Sequence, residues 1–237
     1  MPRTDRIRRI ATWLALAGSI GLALVFVAMR ATTPSDGARI SFYGDGWTDL
    51  GVLIAPIDPP ADGLESGDVV VTVGDQSMEA WLGVSTDPSR PRPAADGPIL
   101  YGVIRGGAPQ AVDVTWSVPA LGATLLAGWS VVLFSVSTIL IAAFVFARRP
   151  DEPAATALMI AACAAGGSSV PWFLGTTVSD VVEGTPFVFY ALITGPLYML
   201  LWPAGLPLAM VFPTPSPIVA RHRWVVPGLY VVGMGAV

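Results

Sequence analysis

The chain has 237 residues, of which 53% are hydrophobic and only 13% are charged. Soluble domains carry about 25% charged residues, so this composition predicts that much of the chain lies in lipid. The net charge of -4 argues against nucleic-acid binding, which needs a basic surface. The single cysteine, Cys163, excludes an internal disulfide, and the single histidine, His222, excludes most metal sites and hydrolytic triads.

The first predicted element is a membrane-spanning helix over residues 10–29, an apolar run of the roughly 20 residues needed to cross a bilayer. Residues 1–9 contain four arginines, which predicts a cytoplasmic N-terminus by the positive-inside rule. The alternative is a cleaved signal peptide, but the run is long for one and no clear cleavage motif follows it. We therefore favour an uncleaved anchor.

Residues 30–119 are predicted to form a small α+β domain on the extracytoplasmic side. The segment carries twelve acidic and five basic residues, which leaves it strongly acidic. Strands are predicted where apolar residues alternate or run together, and Ser77 is placed to cap a short helix. The predicted strands cover residues 38–44, 51–57, 68–73, 99–105 and 110–116, with the last two joined as a hairpin.

Within this segment the sequence LGVLIAPIDPPADGLESGDVVVTVGDQSM, residues 50–78, resembles a bacterial PDZ domain. Leu50, Gly51 and Val52 fit the hydrophobic-glycine-hydrophobic loop of that family, and the turn and strand that follow come in the expected order. The resemblance covers most of the predicted domain and implies that it binds a peptide. The peptide would add as a strand beside residues 52–57, with its carboxylate on the backbone N–H groups of Leu50, Gly51 and Val52. The alternative is that these residues start an ordinary strand and bind no ligand.

Three more membrane-spanning helices and the start of a fourth are predicted after this domain. They cover residues 121–146, 154–174, 186–212 and 224–237. The connections that carry arginines are assigned to the cytoplasm, whereas the connection with Asp180 and Glu183 is assigned to the outside. The last run is too short to span, so we expect this chain to be the front part of a longer protein. The expected fold is therefore an α-helical multi-pass membrane bundle with an inserted PDZ-like extracytoplasmic domain.

The order of these parts resembles the sensory half of bacterial sensor histidine kinases, in particular the competence pheromone-sensing type. The proline-rich turn VFPTPSPIVARHRW, residues 211–224, is similar to a cytoplasmic turn common in that group. The resemblance implies a homodimeric membrane protein that detects an extracellular peptide or envelope signal and transmits it to a C-terminal kinase. His222 is not followed by an acid as a phosphoacceptor would be, so we expect no catalytic, cofactor or metal site in this chain. The expected partners are membrane lipid and a peptide or envelope-protein ligand, and no nucleic acid.

Two other functions stay open at this point. The chain could be a PDZ-type membrane anchor or scaffold without signalling output. It could also be an intramembrane protease, for which the GGSS motif at residues 166–169 offers a serine. A serine nucleophile needs a general base within reach, but His222 is predicted at the opposite side of the membrane, and the sequence lacks the zinc motif His-Glu-x-x-His.

Overall fold

The computed structural model describes residues 3–41, 46–56, 63–87, 89–90, 93, 97–212, 216–222 and 224–235. The chain divides into two compact units. Unit 1 consists of Met1–Val27, Ala127–Phe173 and Ala191–Val237, and unit 2 consists of Ala28–Leu126 and Leu174–Tyr190. The described residues are mostly helical, and they include a small antiparallel sheet in unit 2.

The described helices comprise long apolar segments and short connecting ones. In chain order they are α1 (Arg3–Thr32), α2 (Met78–Gly83), α3 (Leu121–Ala127), α4 (Trp129–Arg148), α5 (Pro153–Leu174), α6 (Val178–Glu183), α7 (Thr185–Phe189), α8 (Gly195–Val211), α9 (Pro217–Arg221) and α10 (Val225–Gly235). A π-helical turn, Tyr190–Thr194, joins α7 to α8. Pro196 follows this turn and lacks the N–H that a regular helix would direct to the carbonyl of Leu192, which favours a wider turn here.

Among the described residues, four helical stretches are long and apolar enough to cross a membrane. They are Arg6–Thr32, Trp129–Arg148, Pro153–Leu174 and Thr185–Val211. In the most apolar part of α5, 61% of the residues are buried, compared with 17% in the corresponding parts of α1 and α4. α5 is therefore packed against neighbours on most sides. α1 and α4 leave apolar side chains uncovered, as helices in contact with lipid do.

The predicted span over residues 121–146 is divided into two helices, because the helical path breaks at Gly128 between α3 and α4. The ring of Phe173 lies so close to Gly128 that a Cβ atom there would overlap it. A glycine at this position lets the aromatic ring approach the backbone closely. The apolar pattern alone could not reveal this break, since hydropathy continues through it.

Unit 2 is built on an antiparallel sheet of seven short strands in its described residues. They are β1 (Ala38–Ile40), β2 (Trp47–Thr48), β3 (Gly51–Pro56), β4 (Val69–Val73), β5 (Gln76–Ser77), β6 (Ile99–Arg105) and β7 (Ala108–Val114). The strand order is β1-β3-β4-β6-β7, with β2 also paired to β3 and β5 to β4. Each of these pairs is antiparallel, which allows short turns to connect several of the strands.

Two local predictions for unit 2 are confirmed. Ser77 caps α2, because its hydroxyl oxygen accepts a hydrogen bond from the backbone N–H of Ala80 at 3.2 Å. β6 and β7 form a hairpin over Gly106 and Gly107, whose φ angles of 58° and 82° are those that glycine adopts readily. Residues 42–45 and 57–62, which belong to two other predicted segments, lie outside the described residues.

The core of unit 2 combines both of its chain segments. The sheet and α2 supply most of the buried side chains, and α6 supplies Val178, Val181 and Val182, all of them fully buried. Residues 174–190 therefore complete this unit. The sequence pattern had assigned the whole domain to residues 30–119 and had treated the connection after residue 174 as a loop.

Candidate functional site

The predicted peptide-carboxylate loop, Leu50, Gly51 and Val52, lies at the tight connection between β2 and β3. The backbone N–H groups of Leu50 and Gly51 both donate to the side-chain oxygen of Thr48, at 3.3 Å and 3.1 Å. Leu50 is 63% exposed, whereas Val52 is buried in the core of the sheet. Two of the three predicted anion donors are therefore already hydrogen-bonded within the loop, and a carboxylate would have to compete with Thr48 for them.

The edge of β3 at which a peptide was predicted to add is covered within the described residues. β1 pairs with the second half of β3, and β2 pairs with its first two residues. β4 lies on the other edge. Strand addition beside β3 would therefore require β1 or β2 to move. A Cβ atom at Gly51 would overlap the carbonyl oxygen of Val70, so close packing accounts for this glycine without a ligand.

A second group of polar residues forms a buried cluster in unit 2, and its centre is Asp36. The Asp36 carboxylate accepts hydrogen bonds from the Tyr101 hydroxyl at 2.8 Å, the Ser179 backbone N–H at 2.9 Å and the Ala38 backbone N–H at 3.0 Å. The indole N–H of Trp116 in turn donates to the Tyr101 oxygen at 2.9 Å. Asp36 is 1% exposed, so this one side chain connects β6, the start of β1 and α6 in the interior of the unit.

An ion pair between Arg30 and Asp180 lies in the same cluster. Nη1 of Arg30 donates to both carboxylate oxygens of Asp180, at 2.7 Å and 2.8 Å, and the two side chains are 5% and 1% exposed. Asp180 also accepts from the backbone N–H of Thr177 at 2.7 Å and completes a capping box at the start of α6. Arg30 stands in the last turn of α1, so the pair joins the end of the first long helix to α6.

Hydroxyl groups connect the ion pair to Asp36. Arg30 donates to the Thr177 hydroxyl oxygen at 3.3 Å, and the Thr177 and Ser179 hydroxyl oxygens are 2.9 Å apart. The Ser179 hydroxyl lies 3.4 Å from Oδ1 of Asp36 and accepts from the Asp36 backbone N–H at 3.3 Å. We call Arg30, Asp36, Tyr101, Trp116, Thr177, Ser179 and Asp180 the docking cluster, because together they hold α6 against the sheet.

Backbone hydrogen bonds hold the same segments together. Ser35 and Ser117 exchange two hydrogen bonds of 2.8 Å and 2.9 Å, and the Ile40 N–H donates to the Thr176 carbonyl at 2.8 Å. The bond from Ile40 places the residues before α6 along the outer edge of β1. Residues from both chain segments of unit 2 thus form one hydrogen-bonded layer around the docking cluster.

Burial sets the acidity of Asp36. It raises the pKa of the Asp36 carboxyl to about 6 from the usual 3.8, and the nearby Asp180 carboxylate acts in the same direction. The hydrogen bonds that Asp36 receives act in the opposite direction and only partly offset burial. Burial, together with the Asp36 charge, also raises the pKa of Tyr101 well above its usual 10, so that this hydroxyl keeps its proton.

Asp68 provides a contrast within the same unit. Arg105 donates to both of its carboxylate oxygens, at 2.8 Å and 2.7 Å, and these hydrogen bonds lower the pKa of Asp68 below its usual value. Among the described residues, no arginine contacts Asp36. The donors around Asp36 are neutral, whereas Asp68 and Asp180 each have a cation.

The GGSS motif of the alternative protease reading lies inside α5, and Ser168 is one of its two serines. The Ser168 hydroxyl donates to the carbonyl oxygen of Ala164 in its own helix at 2.6 Å, and the side chain is fully buried. The His222 ring lies beside the Trp224 ring, with centroids 6.1 Å apart. Within the described part of the chain, no group of three or more histidine, cysteine, aspartate or glutamate side chains is placed to hold a metal ion.

Sequence reasoning did not identify the docking cluster. One local signal was available, since Thr177 and Asp180 have the spacing of a capping box and mark the start of a helix. The remaining contacts join residues that are far apart in the chain, such as Arg30 and Asp180, which are 150 positions apart. The cluster offers no nucleophile activated by a base. It can hold two chain segments together and take up a proton.

Comparisons with known proteins give no family for the chain: no family model matches it, and neither a curated protein nor a solved structure gives a significant match.

Proposed function

We propose that the chain is a membrane-bound sensor module in which unit 2 responds to a signal outside the cytoplasm and the apolar helices pass its state inward to a kinase. In this arrangement the N-terminus is cytoplasmic, and unit 2 is a PDZ-like extracytoplasmic domain. The observation that carries the proposal is the docking of α6, because this helix lies in the connection between two stretches long enough to span a membrane, Pro153–Leu174 and Thr185–Val211.

The path of the chain supports coupling between the two units. The chain leaves one unit and enters the other after Val27, Leu126, Phe173 and Tyr190. Three of these crossings lie next to elements of the docking cluster or of the α6 segment: the end of α1, the end of α5 and the end of α7. A change in how α6 docks therefore acts on the ends of several long helices at once.

The proposed mechanism needs two arrangements of unit 2, with α6 docked and with α6 released. A signal shifts their populations only to the extent that it binds one arrangement better than the other. Allosteric couplings of this kind are typically about 5- to 150-fold in an equilibrium constant. A peptide that binds at the β3 edge by displacing β1 would be one such signal, since β1 also contacts the residues before α6.

The test is a fusion of a histidine kinase core to the C-terminal end of the chain, assayed in membrane vesicles for the autophosphorylation rate. Arg30→Lys keeps the charge but replaces the planar guanidinium with a shorter, flexible ammonium side chain, and Arg30→Ala removes the charge as well. Both changes should alter the rate at least about 5-fold. The matched control is Glu65→Ala, which removes an ion pair between Arg105 and a 66% exposed carboxylate of unit 2 that does not involve α6, and it should change the rate less than about 2-fold.

An unchanged rate in both Arg30 variants, with unit 2 still folded by protease resistance, would contradict the proposal. That outcome would favour the anchor or scaffold function, in which unit 2 holds a partner and sends no signal. Deletion of unit 2 residues is a less informative test, because it would also remove the core in which α6 packs.

A further inference from the structure

We infer that the docking of α6 is a proton-controlled switch, in which Asp36 takes up one proton from the aqueous phase when α6 docks tightly and releases it when α6 loosens. The inference deepens the proposed function, on which it rests for its output, by naming a signal: the acidity of the medium around unit 2. The geometry of the docking cluster points to Asp36 as the group that carries the proton.

Asp36 is a buried carboxylate, and the donors that reach it from the described residues are all neutral. Its partners in the described part of the chain are the hydroxyl groups of Tyr101 and Ser179 and the backbone N–H groups of Ser179 and Ala38, and Arg30 donates to Asp180 instead. A buried negative charge without a cation is unfavourable compared with its protonated form. Since Asp36 bonds directly to the backbone of Ser179 in α6, this penalty falls on the docked arrangement and disappears when α6 leaves.

The docking cluster places three titratable or charged side chains around Asp36. β6 presents Tyr101, which donates to Asp36 and keeps its own proton; α6 presents Asp180, whose charge repels that of Asp36. α1 presents Arg30, which reaches the cluster through Thr177 and Asp180 and does not contact Asp36. Proton uptake by Asp36 therefore relieves a repulsion within the cluster and breaks no ion pair.

The proton has a defined place to bind. Oδ2 of Asp36 accepts the shortest bonds, from Tyr101 at 2.8 Å and the Ser179 N–H at 2.9 Å. Oδ1 accepts from the Ala38 N–H at 3.0 Å, and its other contact, with the Ser179 hydroxyl, is the longest at 3.4 Å, so the added proton goes to Oδ1 on that side. The new O–H lies 3.4 Å from the Ser179 hydroxyl oxygen and can donate to it. The Ser179 hydroxyl hydrogen then turns toward Thr177, 2.9 Å away, and no proton leaves the cluster. One proton enters from water, and the net charge of the cluster rises by one.

The direction of the effect follows from the two environments of Asp36. In the docked state its pKa is about 6, and in the released, hydrated state it returns to about 3.8. The docked state therefore binds more protons between these values, so acid favours docking, and the advantage is lost as the pH rises through about 6. A difference of about two pKa units corresponds to a change of roughly 100-fold in the docking equilibrium.

The experiment measures how often the core face of α6 becomes accessible. The full chain carries Val182→Cys in a Cys163→Ala background and is reconstituted in liposomes, and a membrane-impermeant thiol reagent is added at a series of pH values. Val182 is fully buried, so its labelling reports release of α6. Each rate is divided by that of Asp75→Cys in the same background, an exposed position in unit 2, to remove the intrinsic pH dependence of thiol reactivity.

The expected labelling ratio rises about 10-fold between pH 5 and pH 8, with its midpoint near pH 6. Asp36→Asn should give a low ratio that does not change with pH, because it removes the charge and keeps the shape. Asp113→Asn, which alters an exposed carboxylate of the same unit, should leave the titration as in the parent. If Asp36→Asn does not fold, Tyr101→Phe serves instead: it removes a donor to the ionised carboxylate and should move the midpoint to higher pH.

A parent ratio that stays flat between pH 5 and pH 8, or a titration that Asp36→Asn leaves unchanged, would overturn the inference. Neither result would by itself contradict the sensor proposal, since the Arg30 variants of the kinase fusion test that separately. Conversely, a pH-dependent labelling ratio together with an unresponsive kinase fusion supports the proton switch and refutes the signalling output.

Discussion

Removal of Arg30 should strongly and specifically destabilise the docked position of α6. Arg30→Met leaves the Asp180 carboxylate, which is 1% exposed, without its cation. Breaking a buried ion pair from one side typically costs about 3–5 kcal/mol, because an unpaired charge stays in the interior. The backbone N–H that Asp180 accepts from Thr177 remains and keeps part of the stabilisation, so we expect the lower end of that range.

Hydrogen exchange of the full chain in lipid nanodiscs measures this effect where it acts. At about 3 kcal/mol the protection of the α6 amides should fall by roughly 10²-fold, since about 1.4 kcal/mol corresponds to a factor of ten. The double variant Arg30→Met/Asp180→Asn should lie closer to the parent than Arg30→Met alone. It leaves no charge unpaired, and the side-chain amide oxygen that replaces the carboxylate can still accept from Thr177.

The matched control is Arg9→Met, which breaks an ion pair with Asp151, a side chain that is 66% exposed. Exposed pairs contribute about 0–1 kcal/mol, so protection should change little. A loss of protection below about 5-fold in Arg30→Met, or a double variant as unstable as both single changes added together, would refute the account of α6 docking given above.

Two further predictions concern unit 2. Its stability should rise as the pH falls from about 7 towards 4, because the raised pKa of Asp36 favours the folded, protonated form. It should then decline in stronger acid, because Asp68 has a lowered pKa and loses its interaction with Arg105 when protonated, and Asp68→Asn should weaken this decline. Thermal unfolding across this pH range measures both effects, and a monotonic fall in stability from pH 7 downwards would contradict the role of Asp36. Gly51→Ala should destabilise unit 2 by about 1–3 kcal/mol, because the added methyl group would overlap the carbonyl oxygen of Val70. The control Gly97→Ala places its methyl group in open space and should have little effect in the same thermal unfolding experiment.

The sequence predicted the elements whose signals are local. Ser77 caps α2 through a hydrogen bond to Ala80, only three residues away, and β6 and β7 meet through two adjacent glycines. α6 was not predicted because it is six residues long and carries an aspartate and a glutamate, which are typical of a solvated loop. The burial of Asp180 depends on Arg30, and that of Asp36 on Tyr101, and neither partner follows from a local pattern.

The candidate site shows the same limit. Leu50, Gly51 and Val52 were predicted as a carboxylate-binding loop because their hydrophobic-glycine-hydrophobic pattern resembles that loop in PDZ domains. The same pattern also suits a tight hairpin in which the glycine packs against Val70. In this hairpin the side-chain oxygen of Thr48 accepts hydrogen bonds from the backbone N–H groups of Leu50 and Gly51. The letters of the motif do not distinguish these two uses, since the difference lies in what occupies the neighbouring edge of β3.

The divided core of unit 2 has a consequence for its biosynthesis. The ribosome synthesises α4 and α5 before Val178, Val181 and Val182, so the apolar face of the sheet that α6 covers stays exposed during that interval. A nascent chain in this state is a natural substrate for chaperones and proteases. Errors in the placement of α5 would therefore leave unit 2 unfinished, and degradation of the half-built domain would remove wrongly assembled copies.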